Sequence, residues 1–112
     1  MASYEGPADR LELYEAAVAR VEGLERKGAT MPYTSRNGHM TSFLDKVGSV
    51  AIRLSPRERK AFFSNYDSGV AVQYGLEMKE FAVVPDSLLA DTVEFAEWLK
   101  RGNDWVGTLK PK

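Results

Sequence analysis

The chain has 112 residues, of which 44% are hydrophobic and 28% are charged, and this length and balance fit one globular domain and exclude a second. Its net charge of −1 leaves no overall basic excess for binding nucleic acid or an anionic membrane, so any such binding must be local. It contains no cysteine, which excludes disulfides, thiolate catalysis and thiolate metal sites.

The sequence also lacks the features of an exported or membrane-bound protein. No apolar stretch approaches the roughly 18 residues that span a bilayer. The start of the chain carries Glu5 and Asp9 where a signal peptide has a basic end and an apolar run. We therefore expect a cytoplasmic protein with no membrane partner.

Apolar residues recur at spacings of three and four between Asp9 and Lys27, as one stripe of an amphipathic helix requires. This pattern predicts a first helix over that range. Asp9 and Glu12 have the spacing of a capping box at its start, and Gly28 supplies a residue that can adopt the left-handed conformation after its end.

Between residues 29 and 54 the period changes to two, and β-branched and aromatic residues are enriched. We predict three strands here, at Met31–Arg36, His39–Asp45 and Val50–Leu54. The first two are predicted to form a tight antiparallel hairpin, because Asn37-Gly38 tolerates the positive φ of a type I′ turn.

Side-chain alternation in the third strand predicts which residues face the core. Val50, Ile52 and Leu54 are the large apolar residues, so they are expected on the core face. Ala51 and Arg53 lie between them and are expected on the opposite face.

The second half of the chain repeats this pattern. Ser55-Pro56-Arg57-Glu58 combines a serine cap, a first-turn proline and a returning glutamate, so it predicts a second helix that ends at residues 67–69. Two more strands are predicted at Val70–Tyr74 and Lys79–Val84. The residues between them, 75–78, are too many for a two-residue turn, so we expect a bulge or a longer loop.

A third helix is predicted from Asp91 to about Gly107, because Asp91 and Glu94 repeat the capping-box spacing. Within it, Gly102 is interpreted as allowing another backbone to come close.

The predicted fold class is therefore α+β. The order is one helix, three strands, one helix, two strands and one helix, and strands joined by tight turns pair antiparallel. We expect one antiparallel sheet with helices packed against a face of it. The single domain is expected to cover residues 1–112, with a flexible start at residues 1–8 and a flexible tail at residues 110–112.

Several segments carry motifs in a recognisable order. They are Gly28 to Tyr33, Asn37 to Met40, Val50 to Arg59, Met78 to Pro85 and Leu109 to Pro111. Together, over about residues 21–112, they resemble the TfoX N-terminal domain-like proteins. The resemblance implies the secretion-chaperone-like α+β fold and no catalytic residue. TfoX proteins regulate natural competence with a further C-terminal domain, so we do not expect that role to carry over to this chain.

Residues with catalytic or metal-binding chemistry are few. His39 is the only histidine, which excludes a multi-histidine metal cluster. The carboxylates Asp86, Asp91, Glu94 and Glu97 lack the spacing of a calcium loop and are better explained as an acidic helix start. No glycine-rich phosphate loop is present. We therefore predict no catalytic residue, no cofactor and no metal, and hence no enzyme.

Large apolar residues exceed what one small core accepts. Those that we cannot all place in one core are Tyr33, Phe63, Trp105, Val106 and Leu109. They predict an interface, in a homodimer or with a protein partner. The favoured function is a non-catalytic interaction or regulatory domain.

A local basic patch supports one alternative function. Arg53, Arg57, Arg59 and Lys60 surround a single acidic residue, so the patch could contact phosphates in a nucleic-acid-associated regulatory protein. Basic residues on the outer face of a short helix are, however, the ordinary solvated arrangement. No recognition helix and no RNP-type aromatic motif accompanies them.

Overall fold

The computed structural model describes residues 3–111. Its elements are α1 (Ala8–Ala19), β1 (Tyr33–Arg36), β2 (His39–Leu44), β3 (Val50–Arg53), α2 (Pro56–Asn65), β4 (Val70–Gln73), β5 (Leu76–Val83), α3 (Asp86–Leu89) and α4 (Thr92–Gly107). The strands form one antiparallel sheet in the order β1-β2-β3-β5-β4. The predicted α+β class is confirmed. No helix among residues 3–111 is long and apolar enough to cross a membrane.

The main core lies between the helices and one face of the sheet. The strands contribute Leu44, Val50, Ile52 and Ala82, Leu54 follows β3, and the helices contribute Tyr14, Phe62, Leu89, Phe95 and Trp98. The predicted core face of β3 is therefore confirmed, and the helices bury that face.

The first helix is shorter than predicted. It ends at Ala19, and Gly23 adopts a φ of 80°, a left-handed conformation in which a helix does not continue. Val21 and Leu24 are nevertheless buried. They lie in two successive backbone turns that follow the helix. The predicted capping box is wrong, since Pro7 occupies the cap position and makes no side-chain cap bond.

The caps and the close approach predicted for the later helices are confirmed. The Ser55 hydroxyl accepts a 3.1 Å bond from Glu58 N–H, and the Asp91 carboxylate accepts a 3.2 Å bond from Glu94 N–H. A β-carbon at Gly102 would collide with the backbone carbonyl of Arg53. This glycine therefore lets α4 lie directly against the end of β3.

The β1–β2 and β4–β5 hairpins use two-residue turns. Asn37 and Gly38 have φ values of 54° and 80°, as the predicted type I′ turn requires. Tyr74 and Gly75 have 54° and 76°, so of the two alternatives predicted between β4 and β5 the longer loop is wrong and the bulge is confirmed. The extra residues lie within β5 instead, where the pairing register with β4 jumps from Ala82 to Met78.

This irregularity accompanies a strong curl of the sheet. The side-chain amide of Gln73 in β4 donates a 3.0 Å hydrogen bond to the carboxylate of Asp45, which follows β2. Two strands separate β2 from β4 in the sheet order, so the outer face, opposite the helices, is folded onto itself. It encloses a second buried cluster formed by Phe43, Ala51, Ala71 and Phe81.

Both ends of the described chain are attached to the fold. The Tyr4 hydroxyl donates a 2.6 Å bond to the Asp45 carbonyl, and the ring packs against the main core. The His39 ring nitrogen Nε2 lies 2.9 Å from the carbonyl of Lys110. The remainder of the predicted flexible ends, at residues 1, 2 and 112, lies outside the described residues.

Candidate interaction surface

A cleft of about 500 Å³ opens where the curled sheet leaves a mouth between the β2–β3 turn and the β4–β5 hairpin. It is lined mainly by Met31, Asp45, Lys46, Val47, Gln73 and Tyr74. This volume lies in the usual range of ligand and partner pockets, and the mouth of a rolled sheet is a common place for one.

Exposed apolar side chains surround this cleft. Val47, Val72, Tyr74 and Leu76 are 79%, 55%, 92% and 72% exposed. Val47 and Tyr74 line the cleft, and Val72 and Leu76 lie on the same hairpin as Tyr74. These four residues are termed the hairpin-tip surface. An isolated exposed valine or leucine needs no explanation, but four exposed apolar side chains gathered at one end of the sheet, on both faces of the hairpin, indicate an interaction site.

Two polar residues of the cleft, Asp45 and Gln73, are occupied in holding the fold. One carboxylate oxygen of Asp45 accepts hydrogen bonds from the N–H groups of Val47 and Ser49, at 3.2 and 2.8 Å, and the other accepts from Gln73. Asp45 therefore fixes the β2–β3 turn and is not a free base. Residues 3–111 contain no group of three or more potential metal ligands.

The two edges of the sheet differ. At the β1 edge, the backbone N–H and carbonyl of Tyr33 both bond to the backbone of Lys27, at 2.9 and 2.7 Å. The ammonium of Lys27 also donates to the Ser35 hydroxyl at 2.9 Å. This edge is thus covered by the chain itself, in the manner that protects a sheet from pairing with another molecule.

The β4 edge has no such protection. Within residues 3–111, β4 is the last strand of the sheet and pairs only with β5. Gln73 and Leu76 flank the two-residue turn and exchange both of their hydrogen bonds, so the N–H and carbonyl of Val72 point away from β5. The strand itself, Val-Ala-Val-Gln, contains no charged residue and no proline.

The five residues predicted as an interface do not form one surface. Tyr33 is half-buried against the outer-face cluster, whereas Phe63 is half-buried against the main core on the other side of the sheet. Trp105 and Leu109 are half-buried near the end of the chain. Val106 is fully buried, so its prediction as an interface residue is wrong, because the apolar stripe of α4 carries it into the core.

The predicted basic patch is divided by contacts within the chain. The Nε of Arg53 donates a 3.1 Å hydrogen bond to the Glu80 carboxylate, and its terminal nitrogen forms an ion pair with the same oxygen. The guanidinium carbon also lies 5.9 Å from the ring centres of both Phe81 and Trp105. Arg53 is therefore engaged with an acidic partner and two aromatic rings, and its charge is compensated.

The three remaining basic residues belong to α2. Arg59 donates a 3.0 Å hydrogen bond to the Leu54 carbonyl at the start of the helix. Arg57 and Lys60 are exposed. The structure thus leaves two solvated cations on this helix, fewer than the predicted patch of four.

The candidate catalytic and metal-binding residues have structural contacts. His39 faces the carbonyl of Lys110, Asp91 caps α4, and Asp86 forms a 2.9 Å ion pair with Arg10. Glu94 accepts a 3.2 Å hydrogen bond from the Tyr66 hydroxyl. His39, Asp86 and Glu94 thus contact distant segments of the chain, and Asp91 caps its own helix.

A chain of buried hydroxyls, which the sequence analysis missed, joins α1 to the sheet. The Tyr14 hydroxyl lies 2.6 Å from that of Ser42, which lies 2.5 Å from that of Thr34, and Thr34 lies 2.6 Å from Thr41. Burial raises the pKa of Tyr14 to about 12. The partners are hydroxyls rather than a base, so the network holds the helix and activates no nucleophile.

Comparison with known proteins gives no further assignment: no family model, no curated protein and no solved structure matches this sequence. The functional argument therefore rests on the geometry of the hairpin-tip surface and of the β4 edge.

Proposed function

We propose that this chain is a non-catalytic interaction or regulatory domain of the cytoplasm that acts through the hairpin-tip surface, as a homodimer or with a protein partner. The observation that carries the proposal is the concentration of exposed apolar side chains at one end of the sheet. A partner that covers Val72, Tyr74 and Leu76 would bury apolar area, and this burial stabilises a complex by roughly 25 cal/mol per Å². A binding surface explains why they stay exposed in the single chain.

Two further observations support this proposal. The Asp45 carboxylate in the cleft is engaged with the β2–β3 turn and with Gln73, so it is held in the fold and supports an interaction surface rather than a reactive site. The resemblance to TfoX N-terminal domain-like proteins, which rests on sequence motifs, likewise supplies no catalytic residue and suits a regulatory role.

The proposal is tested by analytical ultracentrifugation of matched variants. Val72 and Val93 are 55% and 57% exposed, and Val93 lies on α4 outside the hairpin-tip surface. We expect association of the 12.5 kDa chain at micromolar concentration. Val72→Lys should weaken association, and Val93→Lys should leave it unchanged. Equal effects of the two variants would contradict the proposed surface.

A nucleic-acid-associated regulatory role is the weaker alternative, and it would use Arg57 and Lys60 on α2, which are both exposed. Each phosphate contact made by such a cation adds to the salt dependence of binding. An electrophoretic mobility shift that falls steeply with salt and is lost in the Arg57→Glu, Lys60→Glu double variant would favour this alternative.

A further inference from the structure

We propose that two copies of the chain associate by antiparallel pairing of β4 with β4 of the second copy, about a two-fold axis at Val72, to give one continuous ten-stranded sheet. This inference rests on the proposed function of the hairpin-tip surface and names its partner. It is carried by the open backbone groups of β4, by its uncharged sequence and by the closed state of the β1 edge.

The backbone of β4 supplies the hydrogen-bonding groups. Because Gln73 pairs with Leu76 beside the turn, the N–H and carbonyl of Val72 point outward. When a second β4 lies antiparallel beside it, the N–H of each Val72 can donate a hydrogen bond to the carbonyl of Val72 in the other copy. Pairing about this residue thus needs no change in the fold.

The side chains on one face are compatible with this register. Glu77 of β5 pairs with Val72 of β4, so the row across the dimer reads Glu77, Val72, Val72 and Glu77. The two valines meet at the axis and cover each other. The two carboxylates lie three strand spacings apart, about 14 Å, which exceeds the screening length of about 8 Å at physiological salt.

The other face is compatible as well. The two-fold at Val72 places Ala71 opposite Gln73 of the second copy, and in β5 these residues pair with Met78 and Leu76. The row therefore reads Met78, Ala71, Gln73 and Leu76 and contains no charge. An antiparallel copy of β4 can therefore lie beside β4 without an unfavourable side-chain contact on either face. Such a strand is self-complementary, as a two-fold interface requires.

The closed β1 edge explains why this pairing ends at two copies. With both edges open, strand addition would continue into an open-ended assembly. Here Lys27 occupies the outward backbone groups of Tyr33 in β1, so a strand of another molecule cannot pair with β1 at Tyr33. Joining β4 to β4 uses the open edge of both copies and leaves a closed dimer.

Cysteine cross-linking tests the register directly, because the chain contains no native cysteine. A hydrogen-bonded antiparallel pair has its Cα atoms about 5.5 Å apart, within the reach of a disulfide. Under mild oxidation, Val72→Cys should shift from 12.5 kDa to twice that mass on a non-reducing denaturing gel. Val93→Cys, equally exposed, should remain at 12.5 kDa.

Val72→Pro provides the second measurement. Its N–H points to solvent in the single chain, so proline removes no bond of the β4–β5 ladder, and circular dichroism should remain that of the folded protein. We expect the variant to sediment as a monomer. If Val72→Pro still dimerises, or if the native chain dimerises but Val72→Cys does not cross-link, the β4 pairing is wrong while the homodimer stands. A monomeric native chain at all concentrations overturns both.

Discussion

Gln73 and Asp45 lie 28 residues apart, and the 3.0 Å hydrogen bond between the amide of Gln73 and the carboxylate of Asp45 closes the outer face of the sheet. Asp45 uses its other oxygen to hold the β2–β3 turn through Val47 and Ser49. One carboxylate thus connects a turn and a strand that the sheet order places two strands apart. Through this contact the curl buries Phe43 and Ala51.

Removing this contact should destabilise the protein. Gln73→Ala deletes a hydrogen bond to a charged acceptor, so we expect the free energy of unfolding to fall by about 1.5 kcal/mol. Val93→Ala, at an exposed position of α4 outside the hairpin-tip surface, should not lower it. Urea denaturation measures both. Equal midpoints for the two variants would show that the bond contributes nothing to the curl.

The buried hydroxyl of Tyr14 predicts a loss of stability at alkaline pH. Below pH 10 the phenol is neutral in both the folded and the unfolded chain. Above it the unfolded chain ionises at the ordinary pKa, while the folded chain keeps its proton up to a pKa of about 12. The free energy of unfolding therefore falls as the pH rises from the ordinary pKa of tyrosine to the raised pKa of Tyr14. For a shift of this size the loss is about 2 to 3 kcal/mol.

Tyr14→Phe should remove that part of the pH dependence. The variant loses one buried hydrogen bond to Ser42, at a cost of about 1 kcal/mol at neutral pH. Urea denaturation at about pH 9 and about pH 12 should show a smaller loss of stability for the variant than for the native chain. Tyr4 and Tyr66, whose pKa values are also raised by burial, contribute in the same direction in both proteins. Parallel pH profiles would contradict the role of Tyr14.

Gly102→Ala should destabilise although alanine is the better helix former. In an open helix this change stabilises by roughly 1 kcal/mol, but here the new methyl group would collide with the carbonyl of Arg53. We expect a net loss of at least about 1 kcal/mol from overpacking. Gly69→Ala is the control, since nothing lies within 4 Å of an added β-carbon there. Thermal denaturation in which Gly102→Ala raises the midpoint would contradict the close approach of α4 and β3.

Gly38→Val should destabilise the first hairpin. Gly38 has a φ of 80° in a turn whose other central residue, Asn37, is also left-handed. A β-branched residue is strained there, so the expected loss is more than about 1 kcal/mol. Asn37 also donates a 3.2 Å bond to the carbonyl of Gly107 at the end of α4. Chemical denaturation with an unchanged midpoint would contradict the role of this turn.

Local signals were sufficient to predict most of the elements. Asn37-Gly38 and the Ser55 cap act through their own backbones, so their residue types specify the structure that forms. The left-handed conformation of Tyr74 was not predicted, because a bulky aromatic residue rarely adopts positive φ. The position of the second turn was therefore not predicted either. The first helix ends at Ala19, before the left-handed Gly23 and earlier than the periodicity indicated.

Contacts between distant residues account for the errors about the candidate site. The curl depends on Gln73 meeting Asp45, and Arg53 is compensated by Glu80, 27 residues away in sequence. Neither pairing has a signal within one element, so Arg53 was assigned to a solvated patch and the cleft was not predicted. Val106 was placed on the surface because the number of apolar residues does not indicate which of them α4 turns inward.

Arg53→Lys separates the structural role of Arg53 from a role in binding phosphates. Lysine keeps the positive charge but lacks the planar group that contacts Glu80 while lying beside Phe81 and Trp105. We expect the free energy of unfolding to fall by about 1 kcal/mol, since a partly buried, stacked cation is replaced by one that prefers water. Lys60→Met, on the exposed face of α2, should change it by less than about 0.5 kcal/mol. Urea denaturation in which Arg53→Lys matches the native chain would show that Arg53 acts only as a surface charge.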